Sequence, residues 1–293
     1  MDSWNAVLVV LMQGLLNLKE LKIKNCGELQ EVFKLEGLLT REGQQQNVLL
    51  PRLKKMLLHD LLELRCIWKG PTQHIHLNNL EHLEVFGCKK LINLFTPTLA
   101  RRLLNLKCLE IGRCDQLEHL IVEDEEDRIL SERHLQTPCF PKLDVVKVKE
   151  CNKLKCLFPV AITHNLLELS CLKVEGASQL VEVFAHEDEG DTLVQKNVTI
   201  PKLAHIRLKQ LPSLVNFCPR NYQVILPDLY FLEVQSCPNM SISFVPPSDN
   251  TVHINGEVPT ISAVFIFLTQ LVLVVIIILG IWIPQKIVVV FAS

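Results

Sequence analysis

The chain has 293 residues, with 30 basic and 32 acidic side chains and a formal charge of −2, so there is no global electrostatic case for nucleic acid. Eleven cysteines occur, none in the C-x-x-C spacing that a zinc ligand pair needs. Free thiols at this density fit a reducing compartment, which makes a cytoplasmic protein the expectation.

Residues 1–17 contain a short apolar run, Ala6 to Met12, preceded by Asp2 and by no basic residue. A secretory signal needs a positively charged leader and a small-residue cleavage site. The run therefore reads as an N-terminal capping segment, packed where the first repeat begins.

Residues 18–245 then repeat one register, apolar at positions 1, 4, 6 and 12 and usually at 15 and 16. The openings are Leu18, Leu53, Leu80, Leu106, Leu143, Leu169, Leu203 and Leu229, spaced by 35, 27, 26, 37, 26, 34 and 26 residues. Positions 4 and 6 share a face because side chains alternate along a strand. Each unit should thus contribute a short strand with two apolar side chains pointing inward. Position 9 is cysteine in five units (Cys26, Cys88, Cys114, Cys151 and Cys237), where a small buried thiol suits a turn with backbone groups to satisfy. Aliphatic–aromatic pairs such as Leu94-Phe95 and Val183-Phe184 should fill the core beneath. One unit cannot bury this set alone, so stability must come from stacking. Leucine-rich repeats run about 20–29 residues, and the longer intervals read as units with inserted loops. The expected fold is an α/β leucine-rich-repeat solenoid of about eight repeats with a parallel concave sheet. The loops at Gly43–Asn47, Glu123–Asp127 and Glu187–Asp191 read as solvated rims, with an acidic docking patch as the alternative. His74 and His76 read as part of a surface loop.

Residues 246–260 form a linker in this reading, and 261–283 a hydrophobic helix. That stretch has no charged residue and no proline. Its helical length is about 34 Å, against a hydrocarbon core of about 30 Å. Trp282 falls where an interfacial aromatic belongs, and a short tail, 284–293, follows. The expectation is a single-pass membrane anchor with the repeats in the cytoplasm. Lys286 alone would place the C-terminus on the cytoplasmic side, but the thiol-rich repeats outweigh one charge. A tail joined by an incorrect gene model is the alternative.

No phosphate-cradling G-x-x-x-x-G-K-[ST] loop, H-E-x-x-H helix or G-x-S-x-G elbow occurs. The expectation is a protein without catalysis, cofactor or metal.

The repeats resemble those of plant disease resistance proteins of the coiled-coil, nucleotide-binding, leucine-rich-repeat type. The resemblance rests on the cysteine turn in Leu106-Lys-Cys-Leu109-Glu-Ile111-Gly-Arg-Cys114-Asp-Gln-Leu117, and on prolines two residues before the openings in Pro51-Arg-Leu53, Pro141-Lys-Leu143, Pro201-Lys-Leu203 and Pro227-Asp-Leu229. Leu208-Lys-Gln-Leu211-Pro-Ser-Leu214 is a further match. It covers roughly residues 15 to 245. It implies a ligand-sensing module in defence, recognising a pathogen effector or a host protein, or holding a nucleotide-binding (NB-ARC) module if the chain is a fragment. A membrane-tethered adaptor or decoy is the second reading. Nucleotide switching does not carry over, since that module is not in this sequence.

Outward positions 5 and 7 should line the concave sheet. Repeats five to seven place Lys147, Lys149, Lys173, Arg207 and Lys209 there, with Glu175 the lone acid. Such a stripe suits an acidic protein partner, with a merely solvated face as the alternative.

Overall fold

The structure is a computed structural model describing residues 17–34, 50–70, 77–122, 138–185 and 196–240, with the backbone of strands 242–245, 252–254 and 288–290. The capping segment before residue 17, the loops at 43–47, 123–127 and 187–191, His74, His76 and the 261–283 segment lie outside the described residues.

One strand per repeat stacks into a parallel sheet. In chain order these are Glu20–Lys24, Lys55–His59, His82–Phe86, Cys108–Gly112, Val145–Lys149, Cys171–Glu175, His205–Lys209 and Phe231–Gln235. Each spans positions 3 to 7 of its repeat, and pairing is in register throughout, so equivalent residues align across the sheet. Val288–Val290 pairs in parallel with Phe231–Glu233 as a ninth strand. Strand burial follows the period of two: Leu83 and Val85 are fully buried, while His82, Glu84 and Phe86 are half-buried.

A left-handed corner ends every strand. Position 8 has φ between 51° and 69° in all eight repeats, although only Gly87 and Gly176 are glycine there. This conformation lets the position-8 N–H continue the ladder to the next repeat, as in Glu150 N to Glu175 O at 2.8 Å and Gly176 N to Lys209 O at 3.0 Å. It also turns position 9 inward. Cys88, Cys114 and Cys151 are fully buried, and Cys237 nearly so. Their thiols donate to the position-7 carbonyl of the same repeat, at 3.4 Å for Cys114 to Gly112 and 3.4 Å for Cys237 to Gln235. The thiol therefore adds a second, weak donor to a carbonyl that already accepts the ladder bond, as Gly112 O does from Gly87 N at 2.8 Å.

Beneath the sheet the opening leucines from Leu53 to Leu203 are fully buried, while Leu18 and Leu229 at the ends are partly so. An aromatic row runs through the far side of the core. Phe95, Phe140, Phe158, Phe184 and Phe217 follow one another with ring centroids 5.4, 5.9, 6.4 and 5.5 Å apart. Repeat four has Ile121 at position 16, and Phe140, from the segment before Leu143, supplies the missing ring. At the other end Phe33 stacks on Trp68 at 4.5 Å.

The returning segments are mostly extended. They form short parallel pairs, such as Glu31–Lys34 with Cys66–Lys69 and Lys196–Thr199 with Tyr222–Ile225. Helix is confined, among the described residues, to Pro97–Arg102 and a 3-10 turn, Val160–Asn165. Thr96 caps the first, its hydroxyl accepting from Leu99 N at 3.3 Å. None of these helices is long and apolar enough to cross a membrane. Within the stretch read as a linker, Val252–Ile254 lies antiparallel to Ile242–Val245.

Candidate functional site

The sheet face carries three outward columns, not two, because each strand already begins at position 3. That column includes His82, Cys108, Val145, Cys171, His205 and Phe231, all half-buried. It adds a semi-apolar strip that the position 5 and 7 pattern left out.

Position 5 forms the charged spine of the face. From repeat three to repeat eight it aligns Glu84, Glu110, Lys147, Lys173, Arg207 and Glu233 on adjacent strands. Three cations therefore stand side by side between acidic neighbours. The outer two are partly neutralised. Lys147 Nζ donates to Glu110 Oε1 at 2.9 Å, and Arg207 Nε lies 2.6 Å from Glu233 Oε2. Lys173 makes no ion pair among the described residues. Like charges directly opposite on neighbouring strands repel, so the middle of this column is under-satisfied in anionic partners.

Position 7 adds Lys149 and Lys209 on either side of Glu175. Lys209 Nζ sits 2.7 Å from Glu233 Oε1, while Lys149 approaches Glu150 at 3.7 Å. The five basic residues thus do come together on one surface, and four of them are tied to carboxylates. A groove of about 250 Å³ runs over four of them, from Glu84 and Phe86 at one end to Arg207 at the other, with Lys147, Lys149 and Lys173 in its wall and Lys209 outside it.

The chemistry of the groove changes along its length. In repeats two to four, His59 Nε2 lies 2.9 Å from Glu84 Oε1, and His82 Nε2 lies 3.6 Å from Glu84 Oε2. Phe86 lies across Gly112, where a Cβ would stand 2.4 Å from the ring. Arg113 covers the same ring, its guanidinium carbon 5.1 Å from the centroid. Glycine at 112 is what admits the aromatic shelf.

Electrostatics follow these contacts. The hydrogen bond to Glu110 raises the Lys147 pKa. Burial opposes the charged form of Glu110, but Lys147 and the Cys108 thiol outweigh it and its pKa falls below the ordinary carboxylate value. Glu233, 8% exposed, behaves likewise: burial pushes up, and Lys209 and Arg207 bring the net shift down. The Cys108 thiol is pushed up to about 12, by burial first and then by Glu110. All eleven cysteines are free. His82, Cys108 and Glu110 offer donor atoms within 4.8 Å of one another, a grouping hidden in the sequence because His82 and Cys108 lie a whole repeat apart.

The stacked, in-register strands with buried opening leucines define a leucine-rich-repeat solenoid. The family of plant disease resistance protein RPS2-like leucine-rich repeats matches residues 3–115 and 116–251, and the chain belongs to it. A probable disease resistance protein of Arabidopsis thaliana is 36% identical over 118 residues, or 40% of this chain. That match spans 12% of the Arabidopsis protein's length.

Proposed function

We propose that the chain is a ligand-sensing module of a plant disease resistance protein. It acts in the cytoplasm during defence, by binding protein and without catalysis. Its recognition site is the concave face around Lys147, Lys149, Lys173, Arg207 and Lys209, and its partner presents an acidic surface, on a pathogen effector or on a host protein. The observation that carries this reading is Lys173, held between two cations with no carboxylate paired to it among the described residues, in a groove large enough for a side chain. An incoming carboxylate relieves that repulsion, so the attraction is specific to the centre of the face. The test is fluorescence anisotropy of a labelled hexaglutamate peptide with the full chain, across a salt series. Binding should weaken steeply with salt and be lost on joint Lys147→Glu and Arg207→Glu reversal. Unchanged binding and salt dependence in the double variant would remove the proposal.

A membrane-tethered adaptor or decoy is the second reading, favoured by the charge-free run from Ile261 to Ile283. A single span there is incompatible with Val288–Val290 pairing beside Phe231–Glu233, because it would carry that strand to the other side of the bilayer. Alkaline carbonate extraction of membranes separates the two. Retention in the pellet supports the anchor, and release supports the paired strand.

A further inference from the structure

We infer that the sheet face binds a zinc-type divalent cation through His82, Cys108 and Glu110, at the edge of the basic surface and joined to it through the Lys147–Glu110 pair. His82 and Cys108 are in-register neighbours at position 3 of repeats three and four, and Glu110 follows two residues after Cys108 on the same side of its strand. An imidazole nitrogen, a sulfur and a carboxylate oxygen then lie within 4.8 Å of one another. Nitrogen, sulfur and oxygen together form the mixed donor set that suits zinc, and three protein ligands leave a fourth position open. Cys108 Sγ is already 3.4 Å from Glu110 Oε1, and all three side chains are half-buried.

The surroundings carry charge of both signs. Glu84 Oε2, 3.6 Å from His82 Nε2, adds a second carboxylate beside the ring. Lys147 is the opposing charge. It holds Glu110 through Oε1, and the second carboxylate oxygen makes no hydrogen bond among the described residues, so the lysine can stay while Oε2 takes the cation. Two strands further on, the same pair recurs without the carboxylate. Cys171 and His205 are in register, but Lys173 stands where Glu110 stands. The fold thus contains its own control.

The experiment is a Co2+ titration of the full chain, with Zn2+ as competitor. Cobalt bound to sulfur gives a thiolate-to-metal charge-transfer band, which Zn2+ should bleach. The expected result is one cobalt per chain, with the band abolished by Cys108→Ser, unaffected by Cys171→Ser, and shifted to concentrations about tenfold or more higher by Glu110→Gln and by His82→Ala. Circular dichroism of the metal-free variants establishes that each is folded, and Glu110→Gln serves if His82→Ala is not. Absence of a thiolate band from the wild-type chain overturns the inference. So does a band that survives Cys108→Ser but vanishes with Cys156→Ser, since Cys156 lies 3.9 Å from His119 Nδ1. Metal binding needs no protein partner, so its failure leaves the recognition reading standing.

Discussion

Lys173→Gln should make the protein more stable and a poorer binder. Strands in a sheet lie about 4.8 Å apart, and flexible ammonium ends splay to about 6 Å. At about 6 Å in water each like-charge contact costs about 0.7 kcal/mol, and physiological salt roughly halves that. Lys147 and Arg207 both flank Lys173, so the gross repulsion is about 0.7 kcal/mol at physiological salt. Glu175 and the carboxylates that pair the flanking cations offset about half of it. The net gain on removing the charge is therefore about 0.3–0.5 kcal/mol, with glutamine retaining most of the stem. Urea denaturation followed by circular dichroism, at low and high salt, measures it. The gain should be largest at low salt and fade as salt is added. A loss of more than about 1 kcal/mol, or a change indifferent to salt, would refute the reasoning, because Lys173 would then be held by a structural contact.

Other outcomes follow from the core and the corners. Phe140→Ala should cost about 3–5 kcal/mol in urea melts, because it removes a buried ring touching Phe95 and Phe158; a loss below about 1 kcal/mol would mean that the aromatic row is not continuous. Gly176→Ala places a Cβ at φ 67°, and should cost about 1 kcal/mol although the nearest atoms are an ordinary 3.5 Å away. Gln210→Gly, at φ 53°, should instead be neutral or stabilising by up to about 1 kcal/mol, net of the entropy that glycine loses. The Glu233 carboxyl has its pKa lowered in the folded state, so its contribution is present above about pH 4.5 and lost as pH falls through the lowered value. Glu233→Gln should flatten that part of the acid limb of stability against pH, and an unchanged acid limb would contradict the pairing with Arg207 and Lys209.

The repeat register was legible because burial imposes it. Leu80, Leu83, Val85 and Leu91 occupy one unit's inward positions and are all fully buried, so their spacing is the fold itself. The thiols at position 9 were legible for the same reason. The corner at position 8 was not, because Arg113, Glu150 and Gln210 have no local preference for the left-handed region; stacking forces them into it. Phe140 was missed because it lies before an opening leucine, outside the 15–16 pattern. Alternation placed all five basic residues on the outward face of the sheet, and the strands carry them there. Their partners were hidden, since Glu110 pairs with Lys147 across 37 residues and only strand register connects them. The third outward column was missed because the strand begins one alternation earlier than the inward leucines required.

The proposed acidic partner docks over Lys173. The most direct measurement introduces a photo-crosslinking phenylalanine at Val145, half-buried in the outward column beside the cations, and in a second chain at Ile92, 50% exposed and outside the concave strands. Both are irradiated with the hexaglutamate peptide and analysed by mass spectrometry. An adduct is expected at position 145 that disappears when Lys173→Glu is added, and none at position 92. Equal labelling at both positions, or labelling at 145 that persists in the Lys173→Glu chain, would contradict that docking.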